Sequence, residues 1–116
     1  MTARILAFWL AVGAASLCHA ADRALPPWEK NNLRTGQALY RENCVVCHDI
    51  DGFPSKKPGP SFYQLFKREK MPGSNMKPNR DYIKVRVKFG GPLMPAFRQS
   101  LTDKQIDILI DYVASR

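Results

Sequence analysis

The stretch Cys44-Val45-Val46-Cys47-His48 is the most informative part of this chain. Two thiols three positions apart lie on one side of a helical turn, where both can reach the vinyl groups of a single porphyrin. The histidine that follows is then held beneath the iron at the porphyrin centre. The C-x-x-C-H spacing is therefore typical of a covalent attachment site for a c-type haem.

Three other readings of the motif compete with haem attachment. A thioredoxin-like redox pair needs a βαβ context, whereas the flanking sequence here looks helical. A structural zinc ion needs four cysteine or histidine ligands, and only Cys44, Cys47 and His48 remain once residues 1–20 are removed. A structural disulfide would leave His48 as a surface residue. The export signal described below favours haem over zinc.

Length and composition are those of one soluble globular domain. The chain has 116 residues, of which 45% are hydrophobic and 24% charged. These values exclude a disordered tail, a collagen-like fibre and a multi-pass membrane protein. The formal net charge of +8 indicates an anionic partner or surface.

The first twenty residues read as a cleaved signal peptide. A basic start is followed by thirteen uncharged residues, Ile5 to Leu17, too few for the roughly 20 needed to span a bilayer. Cleavage after Ala20 is expected, which predicts export to the periplasm; a short membrane anchor and a lipid-anchored Cys18 are the alternatives. We expect an extended lead-in over 21–30 and the folded domain over 31–116.

From about Leu33 to Ser115 the chain resembles the class I (monohaem) c-type cytochrome family, through its C-x-x-C-H motif and the features that follow. The resemblance implies an all-α, small cytochrome c fold, with three to five helices wrapped around one haem c attached through Cys44 and Cys47. It also implies an electron-transfer protein rather than an enzyme.

The second axial ligand of the iron is predicted by elimination. No other histidine survives cleavage, so the remaining soft donors are Met71, Met76 and Met94. Met94 is preferred because Pro92 and Pro95 stiffen the chain around it. It also stands just before the last helix, where the family places its methionine ligand. Met76 is the fallback, and any one of these methionines could instead fill the core.

Further residues are expected beside the axial histidine and at the edge of the cofactor. A metal-bound histidine usually donates its second ring N–H to a nearby acceptor. The family uses a proline carbonyl in a Gly-Pro turn, a position that Pro60 matches, although an ordinary proline-rich turn has the same sequence. Tyr63 or Arg86 is expected to contact a haem propionate.

Three helices are predicted by capping signals and apolar spacing. The first begins at Asn31 or Asn32 and runs to about Asn43. A capping box over 61–64 opens a short helix to about Lys70, and a second box over 102–105 opens the last helix to about Ser115.

The resemblance places the last helix across the first, with Leu109 and Tyr112 against the face formed by Gly36 and Tyr40. Over 83–89, apolar and basic residues alternate as in a strand. A lone strand would leave its backbone unpaired, so we expect a helix there.

Charge is concentrated in one part of the sequence. Residues 56–98 hold eleven basic and two acidic side chains. The field of such a segment speeds encounter with acidic partners, and Lys77, Arg80, Lys84 and Lys88 are the predicted docking residues. We expect a redox donor and acceptor with acidic docking surfaces, such as a membrane-bound oxidase or a periplasmic dehydrogenase. Nucleic acid is not expected, because no binding module is recognisable.

These features favour an exported, soluble carrier of single electrons. Two protein ligands fill the coordination sphere of the iron, which leaves no position for oxygen or peroxide. The alternative is a haem peroxidase or a gas-binding sensor with a labile or absent Met94. A dithiol oxidoreductase that uses Cys44 and Cys47 is a third hypothesis.

Overall fold

The computed structural model describes residues 25–116, so the predicted signal peptide lies outside the described residues. This part of the chain forms three α-helices and one 3-10 turn, without a β-strand. The helices are α1 (Pro27–Asn43), α2 (Arg80–Phe89) and α3 (Asp103–Ala114), and the 3-10 turn is Leu65–Lys67. The predicted all-α fold is confirmed. Among these residues, no helix has the length and apolar character needed to pass through a bilayer.

Helix α1 begins earlier than the sequence suggested. Its first residue is Pro27, so the extended lead-in predicted over 21–30 is wrong from that position onward, and residues 21–24 lie outside the described residues. Proline suits the first helical position because the N–H it lacks would have no partner inside the helix. Pro26 precedes it in an extended conformation, and its carbonyl accepts two backbone N–H groups of the first turn, at 3.0 and 3.1 Å.

Helices α1 and α3 cross in direct contact at Gly36. A Cβ atom on Gly36 would lie 2.5 Å from Cβ of Tyr112 and 2.8 Å from the carbonyl oxygen of Ile108. The rings of Tyr40 and Tyr112 lie 6.0 Å apart, and Leu109 is buried beside them. The predicted crossing is confirmed. It organises a core whose buried members are Leu39, Tyr40, Cys44, Ile50, Leu65, Val87, Leu101, Ile106, Leu109, Ile110, Tyr112 and Val113.

The alternating segment before the last loop is helical, as predicted. Asn79 caps α2 by accepting a hydrogen bond from the backbone N–H of Tyr82 at 3.1 Å. Within α2, Val87 is buried and Ile83 packs against the core. Three of the four basic residues of α2 lie on a second stripe of the helix, at i, i+4 spacing. Two apolar members of the alternating pattern, Val85 and Phe89, are exposed, so the apolar residues do not share one face as they would in a strand.

The basic stripe of α2 faces three aspartates of α3. The pairs are Arg80–Asp111, Lys84–Asp107 and Lys88–Asp103, and the last two have N–O distances of 2.8 Å. We call these three pairs the α2–α3 ladder. The hydrogen bond to Asp107 raises the pKa of Lys84, and the hydrogen bond from Lys88 lowers the pKa of Asp103. Three of the four predicted docking residues are thus bound within the chain.

One predicted capping box forms and the other does not. Thr102 and Gln105 make the reciprocal bonds that open α3. Ser61 was expected to open a helix to Lys70, but its hydroxyl donates to the carbonyl of Gly52 and accepts from Tyr63 N–H at 3.0 Å. Since this hydroxyl is committed to a distant loop, only the 3-10 turn follows, and the predicted helix is wrong.

Candidate cofactor site

The C-x-x-C-H motif continues directly from the end of α1. Cys44 is the C-cap residue, and its backbone N–H donates to the carbonyl of Tyr40 at 2.8 Å. The carbonyl of Cys44 then accepts from the N–H groups of Cys47 and His48, at 3.1 and 2.9 Å. This turn gathers the two thiols and the imidazole into one place at the end of α1, the helix that packs across α3.

The state of the two thiols argues against redox chemistry of their own. Both are free, with Cys44 buried and Cys47 exposed. Burial raises the pKa of Cys44 to about 11. Reactive dithiols have lowered thiol pKa values, because the thiolate is the attacking species. The raised pKa of Cys44 therefore disfavours a dithiol oxidoreductase that attacks through this thiol.

His48 is fixed in the orientation that a metal ligand needs. The residue is 8% exposed, and its Nδ1 atom lies 2.8 Å from the carbonyl oxygen of Pro60. Because a carbonyl only accepts, Nδ1–H is the donor, and Nε2 keeps its lone pair for a metal. Burial lowers the pKa of His48, which favours the neutral ring. The structure therefore brings Pro60 to the position that the resemblance implied.

Only glycine fits at the position before Pro60. A Cβ atom on Gly59 would lie 2.6 Å from Cε1 and 2.7 Å from Nδ1 of His48, and 2.6 Å from the carbonyl oxygen of Cys47. The backbone N–H of Gly59 also donates to that carbonyl, at 2.6 Å. The Gly-Pro turn thus contacts both the ring of the histidine and the backbone of the motif.

Two side chains that the sequence did not reveal hold two more carbonyls of the motif. The hydroxyl of Tyr40 donates to the carbonyl of His48 at 2.6 Å, and burial raises the pKa of Tyr40 to about 12, so the hydroxyl stays protonated. The ammonium of Lys57 donates to the carbonyl of Val45. Neither contact has a signal in sequence spacing, since the first depends on how the motif folds back onto α1 and the second on how the loop after His48 returns to the motif.

An aromatic ring packs flat against the imidazole. The rings of Phe62 and His48 have centroids 4.3 Å apart and planes inclined by 17°. The backbone N–H of Phe62 donates to the carbonyl of Asp49 at 2.7 Å, which fixes the aromatic ring beside the histidine. Together with the bond to Pro60, this stacking restricts rotation of the imidazole. Phe62 was not among the predicted site residues.

Met94 lies in a short turn that folds back onto α2, which we call the strap (residues 90–96). Gly90 ends α2 with a φ of +73°, and Gly91 and Met94 exchange backbone hydrogen bonds of 2.9 and 3.3 Å. After the strap, Phe97 N–H donates to the carbonyl of Val87 at 3.0 Å. Met94 is partly buried and packs against the core. Its side chain is therefore held at the end of α2 rather than free in solvent.

The other two methionines have different environments. Met71 is buried, and its backbone N–H donates to the carbonyl of Met76 at 2.9 Å, which closes the loop between them. Met76 is 48% exposed. The strap of Met94 is the one predicted from its prolines, whereas Met71 and Met76 lie in the predicted loop.

The residues expected at the propionates lie in separate environments. Tyr63 is exposed beside the 3-10 turn. The guanidinium of Arg86 donates to the hydroxyl of Tyr82 at 2.8 Å and to the carbonyl of Gly90 at 3.3 Å. Arg86 thus supports the start of the strap. Contact of either residue with a propionate stays a prediction.

The donor set fits a covalently attached haem. Two free thiols lie within one turn of each other, and the adjacent histidine has an unused Nε2. Within residues 25–116, no group of three or more His, Cys, Asp or Glu side chains is arranged to hold a metal ion by itself. A zinc site of protein ligands alone is therefore unsupported in the described part of the chain, whereas one histidine beneath a porphyrin needs no such cluster.

The comparisons with known proteins agree with this geometry. No curated protein matches the chain. The family model described as "Cytochrome C oxidase, cbb3-type, subunit III" matches residues 31–113. This match confirms the predicted c-type cytochrome domain and its covalent haem c with iron, and the activity of such a domain is electron transfer through haem. The chain therefore belongs to this family of c-type cytochrome domains.

Proposed function

We propose that this chain is an exported, soluble carrier of single electrons, whose haem iron is bound by His48 and Met94. The observation that carries the proposal is the fixed orientation of the imidazole, and the thioether of Met94 offers a second soft donor. His48 is held by Pro60 and Phe62, and Met94 is held by the turn that closes on Gly91. The redox chemistry comes from the cofactor, and the chain orients and shields it.

Two strong axial ligands favour electron transfer over substrate chemistry. A histidine and methionine pair raises the reduction potential of haem. It also leaves no position at the iron for peroxide or a gas. A haem peroxidase or sensor would instead need Met94 to be labile or absent from the iron. The backbone bonds that close the strap support a fixed ligand.

The ferric optical spectrum tests the ligation. The proposal predicts a low-spin spectrum with a weak sulfur-to-iron charge-transfer band at its red end, as the family resemblance implies. Met94→Ala should abolish that band. Met76→Ala is the matched control, since this methionine is exposed. A high-spin ferric spectrum in the unmodified protein, or a band that survives in Met94→Ala, would contradict the proposal.

Export is proposed from the sequence of residues 1–20. The mass of the mature holoprotein provides the test. Expression with periplasmic export should give a polypeptide that begins near Ala21 and carries one haem. Retention of the full N-terminal segment would contradict cleavage after Ala20.

We also propose that the electron partners present acidic surfaces, whether a membrane-bound oxidase or a periplasmic dehydrogenase. Three of the predicted docking residues form ion pairs in the α2–α3 ladder. The docking surface is therefore proposed from basic side chains outside the ladder. Among residues 25–116, no ion pair involves Lys67, Lys70 or Lys77, and all three are exposed.

Electron-transfer rates at several salt concentrations test this docking surface. Lys70→Glu and Lys77→Glu should slow reaction with an acidic partner and weaken its salt dependence. Lys30→Glu, an exposed lysine on α1, is the charge-matched control. Equal effects from all three substitutions would indicate that only net charge matters.

A further inference from the structure

The ammonium of Lys57 contacts the haem-attachment motif directly. Its ammonium donates to the carbonyl of Val45 and lies 3.4 Å from the carbonyl oxygen of His48. It also lies 3.3 Å from Oδ1 of Asp49, the residue that follows the histidine. The side chain of Lys57 is 31% exposed and that of Asp49 is 24% exposed, so both are partly shielded from water.

The carboxylate of Asp49 is fixed by hydrogen bonds within its own loop. Oδ2 of Asp49 accepts from the backbone N–H of Lys56 at 2.8 Å and from the hydroxyl of Ser55 at 3.1 Å. The hydroxyl of Ser55 also accepts from the backbone N–H of Lys57, at 3.1 Å. These bonds hold the acidic and basic groups in a defined arrangement, with the ammonium directed at the carbonyls of the motif.

We propose that Lys57 and Asp49 form a charge pair that tunes the reduction potential of the attached haem, with Lys57 also positioning the motif. The inference depends on the covalent haem and not on the proposed carrier role. Oxidation adds one positive charge to the haem centre. A nearby ammonium therefore favours the reduced state, and a nearby carboxylate favours the oxidised state. Partial burial strengthens both effects, because less water screens them.

The two members of the pair act with opposite signs, which separates electrostatic tuning from simple structural damage. Lys57→Met removes the positive charge and should stabilise the oxidised form. Asp49→Asn removes the negative charge and should stabilise the reduced form. Damage to the loop would instead move both variants in the same direction, through greater exposure of the haem.

The test is an optical redox titration of the purified holoprotein and its variants. Lys57→Met should shift the equilibrium between the two oxidation states at least threefold toward the oxidised form, about 28 mV for a one-electron couple. Asp49→Asn should shift it at least threefold the other way, and the double variant should fall between the two. Lys57→Arg keeps the charge and should stay within twofold of the unmodified protein.

Lys56→Met is the matched control. It removes a lysine one residue away whose ammonium makes no ion pair within the described residues, and it should shift the equilibrium less than twofold. Shifts of Lys57→Met and Asp49→Asn in the same direction would overturn the proposal. Shifts no larger than that of Lys56→Met would overturn it as well.

A fallback variant and a spectroscopic readout separate failure of this proposal from failure of the proposed iron ligation. If Lys57→Met yields no holoprotein, the shifts of Asp49→Asn and Lys57→Gln decide by the same criteria. The sulfur-to-iron band is recorded for every variant. Its absence from the unmodified protein would refute ligation by Met94, but the potentials would still measure the charge pair.

Discussion

Substitution of Gly36 by alanine tests how tightly α1 and α3 are packed. The added Cβ would lie 2.5 Å from Cβ of Tyr112, whereas ordinary van der Waals contact begins at 3.4 Å. It would also lie 2.8 Å from the carbonyl oxygen of Ile108, which belongs to the backbone of α3. Neither atom is the end of a flexible side chain, so the helices must separate by roughly 1 Å.

The expected cost combines two opposing terms. Overpacking of a filled interface costs about 1–3 kcal/mol. Replacing glycine by alanine inside a helix returns about 0.5–1 kcal/mol. We therefore expect Gly36→Ala to lower the free energy of unfolding by about 1 kcal/mol, within a range of about 0–2.5 kcal/mol.

Guanidinium unfolding of the holoprotein, followed by far-ultraviolet circular dichroism, provides the measurement. Ala38→Gly is the control, because Ala38 is exposed on the same helix and reports helix propensity alone. It should cost about 1 kcal/mol. Gly36→Ala as stable as the unmodified protein, or more stable, would refute the inferred contact between the helices.

Three further predictions concern the caps, the buried hydroxyl and the ion pairs. Thr102→Ala should cost about 1 kcal/mol in the same unfolding assay, because the cap of α3 is lost, and an unchanged midpoint would contradict this. Ser61→Ala should cost about 1–3 kcal/mol, because it removes the donor and acceptor shared by two loop segments; Ser115→Ala, near the C-terminus, should cost less. The hydrogen bond from Lys88 lowers the pKa of Asp103. The stability that this bond gives the fold is therefore complete above the unfolded pKa of 3.8, and it is lost as the pH falls through the lower folded pKa. The hydrogen bond from Lys84 to Asp107 raises the pKa of Lys84. The stability that this bond gives the fold is therefore complete below the unfolded pKa of 10.5, and it is lost as the pH rises through the higher folded pKa. The thermal unfolding midpoint should therefore fall at both acid and alkaline pH, and Asp103→Asn should reduce the fall at acid pH.

Features encoded within a few adjacent residues were predicted well. The capping box at Thr102 needs only Gln105, three positions away, and it forms. The C-x-x-C-H motif is equally local, because its turn is built from backbone bonds between residues at most five apart.

Features that depend on distant contacts were predicted poorly. Ser61 has the sequence of a helix cap, but the carbonyl of Gly52 captures its hydroxyl. Lys84 and Lys88 look like free surface charges until the register of α2 against α3 is known. The contact of Lys57 with the motif likewise depends on the path of an entire loop.

The α2–α3 ladder has a consequence for how Met94 reaches its place. Its three pairs run antiparallel at matching four-residue intervals, so they can all form in only one alignment of the two helices. Sliding α2 by a single residue would turn its basic stripe by about 100° and separate every pair. The strap begins where α2 ends. The alignment of α2 against α3 therefore also sets the position of the Met94 thioether relative to the core. Surface charges of modest individual strength can in this way specify a position in the interior.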